Sequence, residues 1–260
     1  MFTRVKIKNF KSLQNLEVNL SARKNEAKPL IIIYGENGSG KSNFANVFYA
    51  LCSSLHTMSY KEAIQAYLDK HASDDLFSKE NFDKFVARSL LGTEAIIKSC
   101  KTVNSNENMA LEFEFLINSR NGRYLIEYDD HKIVHEKLEY VLNKNKTVFY
   151  EILDNNIKVN EKIFEDNNYY REFYDLLEKY NGKHSFLSLL LFDVKDKAKG
   201  YVKKRISNRL YQVLGSFITM SIRVNSGCHM VNGNMGVKHE ILGSLDNGTI
   251  SIKDVKELDN

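Results

Sequence analysis

The sequence predicts an α/β fold, and three observations predict it. A continuous apolar run, Leu30-Ile31-Ile32-Ile33-Tyr34, leads through a glycine-rich loop into a segment whose apolar residues fall at helical spacing. A central block alternates strictly between apolar and polar residues, the pattern of antiparallel strands with one wet face. The part that follows returns to helical spacing. A chain of 260 residues is long enough for one large domain or two small ones and for a sizeable core.

The elements follow in order. Val5, Ile7 and Phe10 are separated by Lys6, Lys8 and Asn9, and Leu16, Val18 and Leu20 alternate strictly, so two strands open the chain. Residues 21–28 are polar and make a turn, and Pro29 introduces the run from Leu30 to Tyr34, which reads as a strand buried on both faces of a mixed sheet. Phe44, Val47, Phe48, Leu51 and Leu55 then share one face of an amphipathic helix. From Tyr60 to Lys101 the pattern is mostly helical, with Ala63, Ile64, Tyr67 and Leu68 on one face. Leu111, Phe113 and Phe115, then Tyr124, Ile126 and Tyr128, then Val148, Tyr150 and Ile152 alternate as antiparallel ribbons, with turns over 118–122 and 143–146. Val202, Ile206, Leu210, Val213, Leu214 and Phe217 share a late helical face. The expected organisation is a first lobe over 1–58, a helical insertion over 59–105, an antiparallel β subdomain over 106–165, a helical lobe over 166–224 and a polar, loosely structured tail over 225–260.

Composition narrows the classes. With 43% hydrophobic and 27% charged residues the chain reads as an ordinary soluble protein, and a net charge of +4 tolerates a polyanionic partner without arguing for one. No apolar stretch approaches the roughly twenty residues that span a bilayer. Three widely spaced cysteines, Cys52, Cys100 and Cys228, fit a reducing cytoplasm better than a disulfide framework. Cys228-His229, His131, His135 and His184 have no partners at metal-ligand spacing.

The loop itself is Gly35-Glu36-Asn37-Gly38-Ser39-Gly40-Lys41-Ser42, a full match to the Walker A P-loop pattern. Its glycines let the backbone turn tightly and aim successive N–H groups at phosphate oxygens, helped by the N-terminus of the helix behind. Lys41 is expected to neutralise the β- and γ-phosphates of ATP or GTP, and the Ser42 hydroxyl to help hold Mg²⁺. A chance glycine turn before a helix would rarely match every position and also follow an apolar strand.

These residues carry a resemblance. Met1 to Ala50 resembles the opening of the ABC-type ATPase heads found in RecF, SMC proteins and OLD-type ATPases. Two features carry it: a basic strand closing on Asn9-Phe10-Lys11-Ser12, and the phrase Gly-Glu-Asn-Gly-Ser-Gly-Lys-Ser after Ile-Ile-Ile-Tyr. The stretch Phe113 to Tyr140, with Glu136-Lys137-Leu138, is similar in style to the antiparallel subdomain of SMC-like heads. The nearest likeness is to stand-alone bacterial SMC-like AAA family ATPases, many associated with phage defence. The resemblance implies ATP with Mg²⁺ as cofactors, and a second ATPase head as partner, either a homodimer or a split partner. It also implies DNA or an effector nuclease as further partners, with no membrane. By the same resemblance Lys11 and Ser12 contact the phosphates or ribose, with a plain surface turn as the alternative, and Asn37 lies near the γ-phosphate and the opposed subunit.

Several family elements have no match. The only apolar segment ending in an acid is Phe186-Leu187-Ser188-Leu189-Leu190-Leu191-Phe192-Asp193, and Val194 follows where a glutamate should stand, so Asp193 reads as the end of a core segment. No LSGGQ-like signature precedes it, Ser226-Gly227 comes too late, and neither Gln65 nor Gln212 falls at a Q-loop. The expectation is a head lacking its second half, as an N-terminal fragment or one half of a split ATPase, with hydrolysis needing elements from elsewhere. A non-hydrolysing nucleotide-binding interaction module is the alternative. Lys195, Lys197, Lys199, Lys203, Lys204, Arg205 and Arg209 form a basic stretch that is either a DNA-facing surface or a solvated helix face.

Overall fold

The computed structural model describes residues 1–23, 25–59 and 92–220, five isolated helical positions between 64 and 83, and the backbone of Val224–Ser226 and His229–Val231. The helical reading of 60–91 therefore lies almost wholly outside the described residues.

One sheet organises the chain. Strands β1 (Phe2–Phe10), β2 (Leu13–Asn19), β5 (Met109–Ile117), β6 (Arg120–Tyr128), β7 (Ile133–Val141), β8 (Lys146–Leu153) and β9 (Asn156–Val159) lie side by side in the order β2-β1-β5-β6-β7-β8-β9. Every strand pairing among the described residues is antiparallel. The α/β class stands, with the antiparallel sheet as its dominant layer. β1 pairs directly with β5, so the opening strands and the alternating central block share one sheet across the gap between them. A small hairpin of β3 (Ser21–Arg23) and β4 (Glu26–Ala27) occupies the expected turn.

The alternation seen in sequence sets the two faces of this sheet. Val5, Ile7, Leu111, Phe113, Phe115, Tyr124, Ile126, Leu138, Tyr140, Tyr150 and Ile152 are buried on one face. The other face carries cross-strand ion pairs, Arg4 with Glu17 and Glu114, Lys6 with Glu112, Lys137 with Glu151 and Lys146 with Glu139, and one pair along β7, Lys137 with Glu139. Over the apolar face pack α1 (Lys41–Ser54), α2 (Thr93–Cys100), α3 (Asn167–Tyr180), α4 (Phe186–Asp196) and α5 (Asn208–Ile218), and together with the sheet they enclose one continuous core. Phe217 of α5 meets Phe2, Phe115 and Tyr124 at ring-centre distances of 5.9, 5.2 and 5.7 Å.

The boundaries differ from the sequence reading in four places. The late helical face begins at Asn208, because Ser207 accepts a hydrogen bond from the Leu210 N–H and caps the helix there; Val202 and Ile206 are buried from the preceding turns. The segment ending at Asp193 is helix α4, started by Ser185 accepting from the Ser188 N–H. Across the start of the expected polar tail, β10 (Val224–Ser226) and β11 (His229–Val231) pair as a short hairpin. The largest departure is Leu30 to Tyr34: these residues pair with no strand among the described residues, and all are exposed rather than buried on both faces. None of the described strands lies beside the run, so its backbone has no ladder to join.

The β5–β6 connection shows how local chemistry fixes register. Asn118 and Ser119 both have positive φ, 48° and 58°, which gives a two-residue turn of the type that matches strand twist. The register that follows sets Gly122 directly opposite Phe115. A Cβ on Gly122 would lie 2.2 Å from the Phe115 ring and 2.9 Å from Tyr140, so that position requires glycine. Gly122→Ala is expected to lower folding stability by about 1–3 kcal/mol through overpacking, as urea unfolding would measure. An unchanged midpoint would show that Phe115 can move aside freely.

Candidate functional site

The glycine-rich loop runs from the exposed Leu30–Tyr34 segment into α1. Gly38 and Gly40 hold φ of 87° and 91°, a left-handed geometry that glycine adopts without steric cost, and Gly40 is the residue from which the helix starts. A Cβ at Gly38 would meet nothing within 4 Å, whereas one at Gly40 would stand 2.9 Å from the Leu13 side chain. Gly38 thus serves the backbone turn alone, and Gly40 also permits the loop to close on the β1–β2 turn.

The N-terminus of α1 is built to receive an anion. The first N–H groups of any helix lack intrahelical partners, and α3, α4 and α5 satisfy theirs with Asp166, Ser185 and Ser207. No side chain caps α1, and no acidic residue stands in its first turn. Its donors and the positive end of its dipole therefore face the loop unopposed. The Lys41 ammonium folds back on the same loop, donating to the Gly35 carbonyl at 2.8 Å, the Glu36 carbonyl at 2.6 Å and the Ser39 hydroxyl at 3.4 Å. All three of its donors are engaged, so a phosphate oxygen that takes Lys41 must displace one of these. Ser42 is exposed at the same helix end. These residues fit a bound polyphosphate: open donors, a cation and no competing carboxylate in the first turn.

The turn between β1 and β2 lies against this helix end. The Asn43 side chain donates to the Ser12 hydroxyl at 2.8 Å, and Leu13 packs on Gly40. Lys11 has φ of 50° and is held from behind, its N–H donating to the Cys100 carbonyl at 2.6 Å and its carbonyl accepting from the Thr102 hydroxyl at 2.7 Å. The residues that leave α2 thus strap the turn in place. Of the candidates read from sequence, the structure brings Ser12 beside Gly40 and Asn43 at the end of the loop, with Lys11 next to it in the same turn. Asn43 and the strap at Cys100–Thr102 were missed, because no motif marks a contact between segments so far apart in the chain.

Asp193 is elsewhere. It sits within α4, accepts a hydrogen bond from the Tyr169 hydroxyl at 2.9 Å and is shielded from water, and burial pushes its carboxyl above the usual aspartate range. Two residues of the late basic stretch are likewise occupied. Lys197 pairs with Glu172 and Asp193, and Arg205 pairs with Asp166 while stacking 3.6 Å from the centre of the Tyr201 ring.

A family model described as an AAA ATPase domain matches residues 1–241. The chain belongs to the AAA ATPase domain family. No curated protein shows significant similarity to it. Family membership makes the loop geometry that of a nucleotide-binding AAA ATPase domain. No helix among the described residues is long and apolar enough to cross a membrane.

In this AAA ATPase domain the far end of α1 is fixed by a buried polar junction. The Ser185 hydroxyl donates to the Ser54 carbonyl at 2.8 Å, and the Ser188 hydroxyl accepts from the Met58 N–H and from Thr57 at 2.9 and 3.1 Å. Beside them Glu136 is fully buried. The Tyr124 and Tyr150 hydroxyls donate to one of its carboxylate oxygens at 3.0 and 2.8 Å, and the Phe186 N–H donates to the other at 2.7 Å. The carboxylate therefore binds β6, β7, β8 and the start of α4 together. The signal was present in sequence, since β7 alternation turns Glu136 to the same face as Leu138 and Tyr140.

Burial pushes the Glu136 carboxyl from 4.5 up to about 7, against the opposing pull of those donors. A carboxyl whose folded value is raised binds its proton more tightly when folded. Its contribution is complete below pH 4.5 and is lost as pH rises through about 7. The stability of wild type minus that of Glu136→Gln is expected to fall by ~3 kcal/mol across that window. A difference that stays flat with pH would contradict the assignment.

Proposed function

We propose that this chain is the ATP-binding portion of an SMC/RecF-like ATPase, in which ATP with Mg²⁺ promotes pairing with a second ATPase head. The observation that carries the reading is the uncapped N-terminus of α1, with Lys41 at its first turn and the Lys11–Ser12 turn fastened beside it by Asn43. In this reading the N–H groups of 38–42 hold the phosphates, and Lys41 exchanges its loop carbonyls for β- and γ-phosphate oxygens. The Ser42 hydroxyl holds Mg²⁺, which when bound offsets phosphate charge. Lys11 and Ser12 reach the phosphates or ribose from the sheet side, and Asn37 faces the γ-phosphate and the opposed head.

The partner is a second head, as a homodimer or as the other half of a split ATPase, and the pairing is coupled to DNA or to a phage-defence effector such as a nuclease. The free, buried thiols of Cys52 and Cys100 are consistent with a cytoplasmic setting. The second reading, a nucleotide-binding interaction module that does not hydrolyse ATP, draws support from Asp193. The one acidic residue at the end of an apolar run is spent on Tyr169 between α3 and α4. Phosphoryl transfer needs an acid to complete the Mg²⁺ shell and a group to orient water, and removing such groups typically costs ~10²–10³ in rate.

Calorimetry tests the binding role. Lys41→Ala should weaken Mg-ATP binding about tenfold to a hundredfold, and Ser42→Ala should reduce its dependence on Mg²⁺. Unchanged affinity in Lys41→Ala would sink the assignment. In a steady-state phosphate-release assay, the 260-residue chain is expected to show no turnover above the Lys41→Ala blank. Robust turnover would show that a carboxylate other than Asp193 completes the site.

A further inference from the structure

The Ser12 hydroxyl is held from two sides at the mouth of the loop. Behind it the turn is strained, since Asn9 and Lys11 are non-glycine residues with positive φ, 52° and 50°. Such backbone persists only where its surroundings over-determine it. Here the Thr102 N–H donates to the Asn9 carbonyl at 2.9 Å, and the Lys11 N–H to the Cys100 carbonyl at 2.6 Å. The Thr102 hydroxyl donates to the Lys11 carbonyl at 2.7 Å, and the Asn9 side chain to the Asn108 carbonyl at 3.1 Å. In front, Asn43 in the first turn of α1 donates its side-chain N–H to the Ser12 oxygen at 2.8 Å. A Cβ on Gly40 would stand 3.8 Å from that same oxygen, so the hydroxyl lies against the residue from which the helix starts.

Two properties of the Asn43–Ser12 bond separate a binding role from a folding one. The bond is exposed, and an exposed hydrogen bond adds little to folding because water replaces it. It also has a direction. A serine hydroxyl carries one proton and two lone pairs. Asn43 fills a lone pair, so the Ser12 proton points elsewhere, and among the described residues no acceptor takes it. Beside it the open N–H groups of α1 and the Lys41 ammonium are donors as well. A site ringed by donors suits a group that brings only acceptors. A phosphate oxygen is such a group, whereas a ribose hydroxyl needs an acceptor for its own proton.

We propose that Asn43 is a positioning residue for the nucleotide, which by donating to Ser12 turns the Ser12 proton toward a phosphate oxygen rather than a ribose hydroxyl. Resting on the nucleotide reading above, this role brings in a residue outside the P-loop pattern and decides between the two partners left open for Ser12. Asn43 acts through Ser12 and not on the ligand. With the strap behind and Asn43 in front, the donor is in place before nucleotide arrives, so binding loses little freedom in ordering it.

The test is a double-mutant cycle on the full chain, read by calorimetry of Mg-ATP binding with urea unfolding alongside. Ser12→Ala should weaken binding about tenfold and Asn43→Ala about threefold, with unfolding midpoints unchanged. The double variant should bind as Ser12→Ala alone does, because Asn43 has nothing left to orient. Ser12→Ala should weaken 2′,3′-dideoxy-ATP by the same factor as ATP, since that nucleotide keeps the phosphates and lacks the ribose hydroxyls. Additive losses in the double variant would overturn the proposal and leave the P-loop reading intact, as long as Lys41→Ala still abolishes tight binding. So would a Ser12→Ala loss that disappears with the dideoxy nucleotide, or an Asn43→Ala variant that loses stability instead of affinity. Wild type that binds no better than Lys41→Ala would overturn the nucleotide reading and this role with it.

Discussion

The arrangement depends on covering one face of a seven-stranded antiparallel sheet. An open sheet of this kind wets one face and must bury the other, and here the buried face is a continuous floor of aromatic and branched residues. Phe44, Val47 and Leu51 of α1, and Leu55 just after it, go down onto that core, each burial worth about 1.5–3 kcal/mol. The helix deepens along its length, from an exposed Ser42 to a fully buried final turn. Its N-terminus is thereby held at the rim without needing stabilising contacts of its own. The position of the loop is inherited from hydrophobic burial some three turns away.

This explains how the site tolerates being unsatisfied. Open helix donors, two glycines with positive φ and a lysine folded onto carbonyls are each unfavourable or neutral for folding. They persist because the far end of the helix is clamped by Ser185, Ser188 and the buried Glu136 junction. The strap from Cys100 and Thr102 does the same for the Lys11 turn. Ser185, Ser188 and Glu136 are paired where the helix must be held, and the donors at its other end are left open where a polyanion can be received.

The sequence made the local patterns legible and left the long-range ones dark. The P-loop, the helix after it, and the strands through Phe113, Tyr124 and Tyr150 could be read, because each is a short-range periodicity or a fixed spacing. The antiparallel pairing of β1 with β5 could not, since it joins strands about a hundred residues apart and no periodicity encodes a partner. Asn43 against Ser12 was dark for the same reason. The run from Leu30 to Tyr34 misled in a useful way. Its composition is that of a strand covered on both sides, and among the described residues nothing covers it. Ser207 and Ser185 were legible in principle as caps, and they explain why the helices begin where they do.

The central claim is that the open end of α1 holds nucleotide phosphate while its far end stays fixed. Amide hydrogen exchange with and without Mg-ATP tests it most directly. The account predicts new protection over residues 35–43 and at the Lys11–Leu13 turn, with the amides of Leu51 to Ser54 slow in both states. Saturating Mg-ATP that leaves 35–43 unprotected, or that protects only a surface remote from α1, would contradict it.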